Sequence, residues 1–307
     1  MEKVKKIDIH VHSVLSKMGC PHNDGIGHFT TPDELRRMYD ALGIEKGVQQ
    51  SLSSPEGRGR LITSEESYQL ATQYPETYFW FCNVDPRQGT NQPDFDLEVF
   101  LNFYKQMGAK GVGEVTANLY IDDPYMYNLF AACEKLELPL TFHIGTKGIS
   151  YGMVDDLGLP RLEKALQDFP NLKFLGHSQL FWSEISGDND EEKRGGYPTG
   201  KVVPGGRVEE LMRKYPNLYG DMSAGSGCNA FMRDPEHAYR MIEEFQDRLC
   251  FGTDICDPRN EGAPMLRLSS FLDEAMEQGK ISYEAYYKVC RGNALKLLGV
   301  EEQENKV

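Results

Sequence analysis

Cysteine pairs, basic character and long apolar runs are what this 307-residue sequence has little of. Its seven cysteines stand at 20, 82, 133, 228, 250, 256 and 290, with no C-x-x-C pair among them. They read as reduced thiols, mostly small buried hydrophobes, and exclude a disulfide framework. Lys and Arg total 33 against 47 Asp and Glu, a formal net charge of −14. A phosphate backbone calls for a basic stripe, so nucleic acid is not an expected partner. No apolar stretch reaches membrane-spanning length, and Met1-Glu2-Lys3-Val4-Lys5-Lys6 lacks the apolar core of a secretory signal. The expectation is a cytoplasmic protein that engages neither membrane nor nucleic acid. No Gly-rich phosphate fingerprint follows the first strand-like run, which argues against an open nucleotide-binding sheet.

What is present is a regular alternation. Strand-like runs cover Lys6 to His12, Lys46 to Gln50, Tyr78 to Val84, Lys110 to Val115, Leu138 to His143, Leu172 to His177, Asn217 to Asp221 and Leu249 to Asp254. Helical spacing follows each one. Thr31-Pro32-Asp33-Glu34 is a capping box with Pro at the first turn, and Asp123-Pro124 and Asp234-Pro235 open later helices. Asp155 and Asp156 suit loop starts and caps. Three helix-to-strand joints repeat one connector, Tyr74-Pro75, Phe169-Pro170 and Tyr215-Pro216, where Pro stops the helix. Eight strand–helix units predict an α/β protein, a (β/α)8 TIM barrel over residues 1–300. Long rim loops are expected at 13–30 and 181–206, and a polar tail at 301–307.

The chemistry falls on the strand ends. His10, His12, Glu114, His143, His177 and Asp254 all close strand-like runs. Residues two apart in a strand share a face, so His10 and His12 point the same way. Parallel strands closed into a barrel bring these ends to the C-terminal rim, where such barrels place their active sites. Imidazoles and carboxylates meeting at one point suit a transition-metal ion. For any one histidine a structural role is the blander reading, but it does not explain so many on strand ends. His22 and His28 lie in the first loop, and His237 reads as a surface residue of a helix.

Asp8-Ile9-His10-Val11-His12, Thr141-Phe142-His143, Gly176-His177 and Phe251-Gly252-Thr253-Asp254, with Gly292-Asn293-Ala294 before Leu297-Leu298-Gly299, carry a resemblance. Over essentially its whole length the sequence resembles the amidohydrolase superfamily, in particular the amidohydrolase-related branch that includes aminocarboxymuconate-semialdehyde decarboxylase. The resemblance implies a divalent metal, zinc first and manganese as the alternative, held by His10, His12, His143 and Asp254. It implies that His177 stays off a single ion and serves as base or polariser, and that Asp254 takes a proton from the activated water. Glu114 opens a second arrangement. In binuclear members the fourth strand supplies a bridging carboxylate, and a Glu114 bridge lets His143 and His177 hold a second ion. Otherwise Glu114 is an acceptor that orients a histidine. One ion or two stays open.

The leading functional expectation is a metal-dependent hydrolase that acts on a small carboxylate-bearing or cyclic substrate through metal-activated water. The alternative is a metal-dependent non-oxidative decarboxylase of a small unsaturated or aromatic carboxylic acid. A metal-dependent nuclease fits the ligands but not the acidic balance. A non-catalytic barrel fits poorly, because clustered buried imidazoles and carboxylates are costly without a partner. Arg58, Arg60 or Arg259 could clamp a substrate carboxylate. Trp182 is a further substrate-contact candidate, in a loop long enough to act as a lid. The charged run 188–194 reads as solvated. A homodimer through apolar helix faces is also expected.

Overall fold

The first strand, β1 (Lys6–Val11), is buried along its whole length, as a strand covered on both faces must be. The structure is a computed structural model and describes residues 2–17, 20–22, 25–57 and 61–301. After β1 comes a small antiparallel hairpin, β2 (Cys20–His22) and β3 (Gly25–Gly27). It lies inside the first rim loop, which the sequence predicted as irregular. Its strands are too short to show any apolar alternation.

The remaining strands are β4 (Ile44–Gln49), β5 (Tyr78–Trp80), β6 (Val112–Val115), β7 (Leu140–His143), β8 (Phe174–His177), β9 (Leu218–Asp221) and β10 (Leu249–Cys250). All their pairings, and that of β1 with β4, are parallel. They form two arcs, β1-β4-β5 and β10-β9-β8-β7-β6. Parallel bridges Cys82–Val112 and Val11–Ile255 join the arcs. The seam between β10 and β1 is reinforced by Ile9 N–H to the Phe251 carbonyl at 3.0 Å and Asp254 N–H to the His10 carbonyl at 2.8 Å. The result is the expected eight-stranded TIM barrel.

Helices on the outside begin and end where the sequence says they should. The Glu34 carboxylate accepts from both the N–H and the hydroxyl of Thr31. Asp123 caps the helix Pro124–Lys135 through Tyr125 N–H. Tyr74, Phe169 and Tyr215 each close a helix by donating their N–H to the carbonyl of the fourth residue back, and Pro follows. Two helices were not anticipated, Gln179–Trp182 and Ala224–Met232. No helix among the described residues is long and apolar enough to cross a membrane.

Two apolar layers result. One lies between strands and helices. The other joins Ile7, Ile9, Val48, Phe81, Leu175 and Cys250, side chains from strands all around the sheet, which only a closed interior can bring together. Ala294, Leu295, Leu297 and Leu298 of the last helix plug its lower end.

A register irregularity in β1 sets up the site. Asp8 pairs with Gly47 but Val11 pairs with Gln49, so three steps on β1 match two on β4. Such a bulge interrupts strict alternation. Ile7 and Ile9 face the interior, and Asp8 reaches outward to the Tyr39 hydroxyl at 2.7 Å. Beyond the bulge His10 and His12 turn in toward the axis, and Val11 packs in the outer layer.

Candidate active site

Seven side chains converge at the C-terminal rim. His10 comes from β1 and His12 stands just past its end, Glu114 comes from β6, His143 from β7, His177 from β8 and Asp221 from β9. Asp254 follows β10 in the left-handed backbone region, at φ 56°. Ser178 and Ala224, on the neighbouring turns, are also left-handed. Non-glycine residues held this way concentrate where a turn must aim a particular group.

The six residues predicted from sequence lie together. His10 Nε2 is 3.0 Å from His12 Nε2. Glu114 Oε2 is 3.3 Å from His12 Nε2 and 3.7 Å from His10 Nε2. Asp254 Oδ1 is 3.6 and 3.8 Å from the same two nitrogens. On its other side, Glu114 Oε1 is 2.7 Å from His143 Nδ1 and 3.8 Å from His177 Nε2. The outer nitrogen of His12 faces the Gln50 carbonyl at 3.2 Å. Phe29 lies against His12 and Tyr151 against His143, with ring centroids 6.1 and 4.7 Å apart.

This donor set fits a divalent cation. Ligand atoms on one tetrahedral ion with bonds of about 2.1 Å lie about 3.4 Å apart. The spacings among His10, His12, Glu114 and Asp254 bracket that value. Glu114 belongs to two compact donor groups, one with His10 and His12 and one with His143 and His177. Burial opposes the charge on Glu114, but the imidazoles of His10, His12 and His143 around it hold its carboxyl well below the usual range. Burial likewise opposes a charged His10, and the Asp221 carboxylate overrides it and raises the imidazole.

Asp221 was not singled out from the sequence, although it ends a strand-like run as Asp254 does. It is fully buried, and its Oδ2 lies 2.6 Å from His10 Nδ1 and 3.2 Å from His177 Nδ1. Burial disfavours its charge, but His10 and His177 outweigh that and hold the carboxyl far down. Ser223, also unforeseen, sets its hydroxyl 3.1 Å from His177 Nδ1.

Several other expectations change. Trp182 does not face a substrate. It is 2% exposed, touches Phe181 and Phe231 edge-on, and donates its indole N–H to the Asp221 carbonyl at 2.8 Å. It supports the end of β9 from behind. Trp182→Ala is expected to cost about 3–5 kcal/mol, the range for emptying an aromatic core position, read as a lower denaturant midpoint. Arg259 stays on the rim but spends its fork on Asp257, at 2.9 Å through Nε and 2.7 Å through Nη2. Arg259→Ala is therefore expected to shift KM for acidic substrates by less than about fivefold, the scale of an exposed ion pair. A larger rise would assign Arg259 to the substrate. Arg58 and Arg60 lie outside the described residues.

His237 is not a surface residue. It is 7% exposed, with Nε2 bonded to Glu209. Nor is the 188–194 run wholly solvated. Arg194 is buried and donates to the carbonyls of Asp155 and Asp156 at 3.2 Å, which ties the long loop to its neighbour. Asp155 in turn accepts the N–H groups of Arg161 and Leu162 at a helix start, as expected.

Comparison with known proteins bears on the family and the fold. Residues 105–300 match the family model described as amidohydrolase. No curated protein matches the sequence. Among solved structures, a dihydroxybenzoic acid decarboxylase from Polaromonas sp., with bound manganese and the inhibitor 2-nitroresorcinol, is similar with a TM-score of 0.61 at 15% identity, covering 99% of each chain. The 2,6-dihydroxybenzoate decarboxylase from Rhizobium gives 0.59 at 16% identity, over 96% of this chain and 99% of that one. A probable 2-pyrone-4,6-dicarboxylic acid hydrolase from Acinetobacter baumannii, with citric acid bound, gives 0.57 at 13% identity, over 96% of this chain and 100% of that one. At these identities the likeness is one of fold. The matched segment, however, takes in Glu114, His143, His177, Asp221 and Asp254, and with it this chain belongs to the amidohydrolase family.

Proposed function

We propose that this protein is a metal-dependent hydrolase of a small carboxylate-bearing or cyclic molecule, with a pair of divalent ions bridged by Glu114. One observation carries the proposal: the two oxygens of Glu114 face two different histidine pairs, Oε2 toward His10 and His12 and Oε1 toward His143 and His177. His10, His12, Asp254 and Glu114 would hold one ion, and Glu114, His143 and His177 the other. Zinc or manganese bound there supplies Lewis acidity, lowering the pKa of water toward neutrality and polarising a substrate oxygen.

The protein's own groups do the rest. Asp254 is the most exposed carboxylate of the cluster, with 23% of its side chain accessible against 6% for Glu114. With Oδ1 given to the ion, it would take a proton at Oδ2 and pass it to the leaving group or to solvent. Phe29 and Tyr151 border the cluster with flat apolar faces that suit a ring-shaped substrate.

A second reading is non-oxidative decarboxylation, with one ion on His10, His12, His143 and Asp254 and with His177 delivering a proton to carbon. The similarity to hydroxybenzoate decarboxylases supports this reading more than it supports hydrolysis. Metal counting and product analysis separate the two. Hydrolysis predicts about two ions per chain, loss of activity on chelation with recovery on zinc or manganese, and entry of labelled oxygen from water into product. A single ion per chain with release of carbon dioxide from a dihydroxybenzoate would overturn it in favour of the second reading.

A further inference from the structure

We propose that Asp221 is a positioning residue that selects the same tautomer for two histidines at once, His10 and His177. Its effect on a second ion rests on the two-ion reading above; the tautomer assignment does not.

The argument is one of donors and acceptors. Asp221 is fully buried, and an ionised carboxylate only accepts hydrogen bonds. Its Oδ1 accepts the Ser223 N–H at 3.0 Å. Its Oδ2 faces His10 Nδ1 at 2.6 Å and His177 Nδ1 at 3.2 Å. A bare His10 Nδ1 would set lone pair against lone pair at 2.6 Å, and a bare His177 Nδ1 would meet the same carboxylate with only the Ser223 hydroxyl to donate to it, so hydrogen on both Nδ1 atoms is the arrangement the carboxylate favours. In a neutral imidazole that leaves Nε2 bare. Both Nε2 atoms point into the cluster, that of His10 toward His12 Nε2 at 3.0 Å and that of His177 toward Glu114 Oε1 at 3.8 Å. One carboxylate thus turns the electron pairs of two rings toward the place where a cation would sit. Orientation of a ligand by a partner on its far nitrogen is a general device of metal sites. Here one acid serves two strands.

The surroundings hold Asp221 to this task. Trp182 Nε1–H grips its backbone carbonyl at 2.8 Å. A Cβ at position 252 would come within 2.9 Å of Asp221 Oδ1, so Gly252 leaves the room the carboxylate occupies. Ser223 Oγ, 3.1 Å from His177 Nδ1, accepts the same hydrogen in the proposed tautomer.

The test reads the tautomers directly in zinc-loaded protein, by nitrogen–proton correlation spectroscopy on labelled histidine rings. The expected result is hydrogen on Nδ1 of both His10 and His177. Hydrogen on Nε2 of either ring in the wild type would overturn the proposal with no variant needed. Asp221→Asn places an amide N–H₂ against one or both Nδ1 atoms or against the Ser223 N–H. It is expected to move hydrogen to Nε2 of at least one ring and to weaken zinc roughly ten- to a hundredfold. Unchanged ring signals and zinc affinity in a folded Asp221→Asn protein would also overturn it. Should that variant fail to fold, Ser223→Ala removes a partner of His177 alone. It should shift the His177 Nδ1–H resonance and leave that of His10 in place; equal shifts in both, or in neither, would count against the assignment. A wild-type zinc count of one with both Nδ1–H signals present would defeat the two-ion reading and leave this one standing.

Discussion

His10→Ala is expected to abolish metal binding and turnover together. His10 is fully buried, and its Nε2 faces His12, Glu114 and Asp254 within 3.8 Å. Its backbone is held in place by the hydrogen bond from Asp254 N–H to the His10 carbonyl. The variant also strips the Asp221 carboxylate of its shortest contact, so some loss of fold stability accompanies the loss of metal. A Lewis-acidic ion is worth several kcal/mol of transition-state stabilisation, so activity should fall about a thousandfold or more. Asp254→Ala separates the two effects, since it removes a donor from the more exposed side of the cluster and leaves Asp221 with its histidines. Metal content by mass spectrometry, beside a thermal melt, is the measurement. Full metal retention in both variants would remove His10 and Asp254 from the ligand set.

Glu114 carries the second large effect. Glu114→Gln keeps shape and volume but gives up the charge that faces His10, His12, His143 and His177. If Glu114 bridges, the variant should lose at least one ion per chain, and turnover should fall about a hundredfold or more, the loss of a charge-assisted contact in a buried site. His177→Ala is the companion. In the bridged arrangement it loses the second ion. In a single-ion arrangement it keeps its metal and loses only turnover. Metal loss in Glu114→Gln together with metal retention in His177→Ala would make Glu114 a ligand of a single ion and remove the bridge.

Much of the site was legible because its residues obey local rules. His143 and His177 end runs of apolar residues, and in a parallel barrel the end of a strand is the rim. Their pairing across β7 and β8 is in register, His143 opposite His177. Asp221 follows the same rule, yet an acid after Tyr219-Gly220 differs little in sequence from an ordinary strand end. Trp182 misled for the opposite reason. Its place in a long charged loop suggested exposure, but the short helix Gln179–Trp182 turns it back against Phe231. His237 and Arg194 were read from their polarity alone. Each is buried because a specific partner, Glu209 for one and the carbonyls of Asp155 and Asp156 for the other, satisfies it there.

The sequence by itself determined the alternation of strand and helix, the connectors that close the helices, and the histidines and acids at strand ends, because caps, prolines and apolar period act over a few residues. Only the tertiary structure decided which way those ends face. The bulge between Asp8 and Val11 turns His10 and His12 inward where plain alternation from Ile7 and Ile9 would have turned them out. Closure of the barrel brings Asp221 of β9 against β1, 211 residues away in sequence. No local pattern encodes either fact. Both follow from packing the strands around one interior, where a buried acid and a buried imidazole persist only by finding each other.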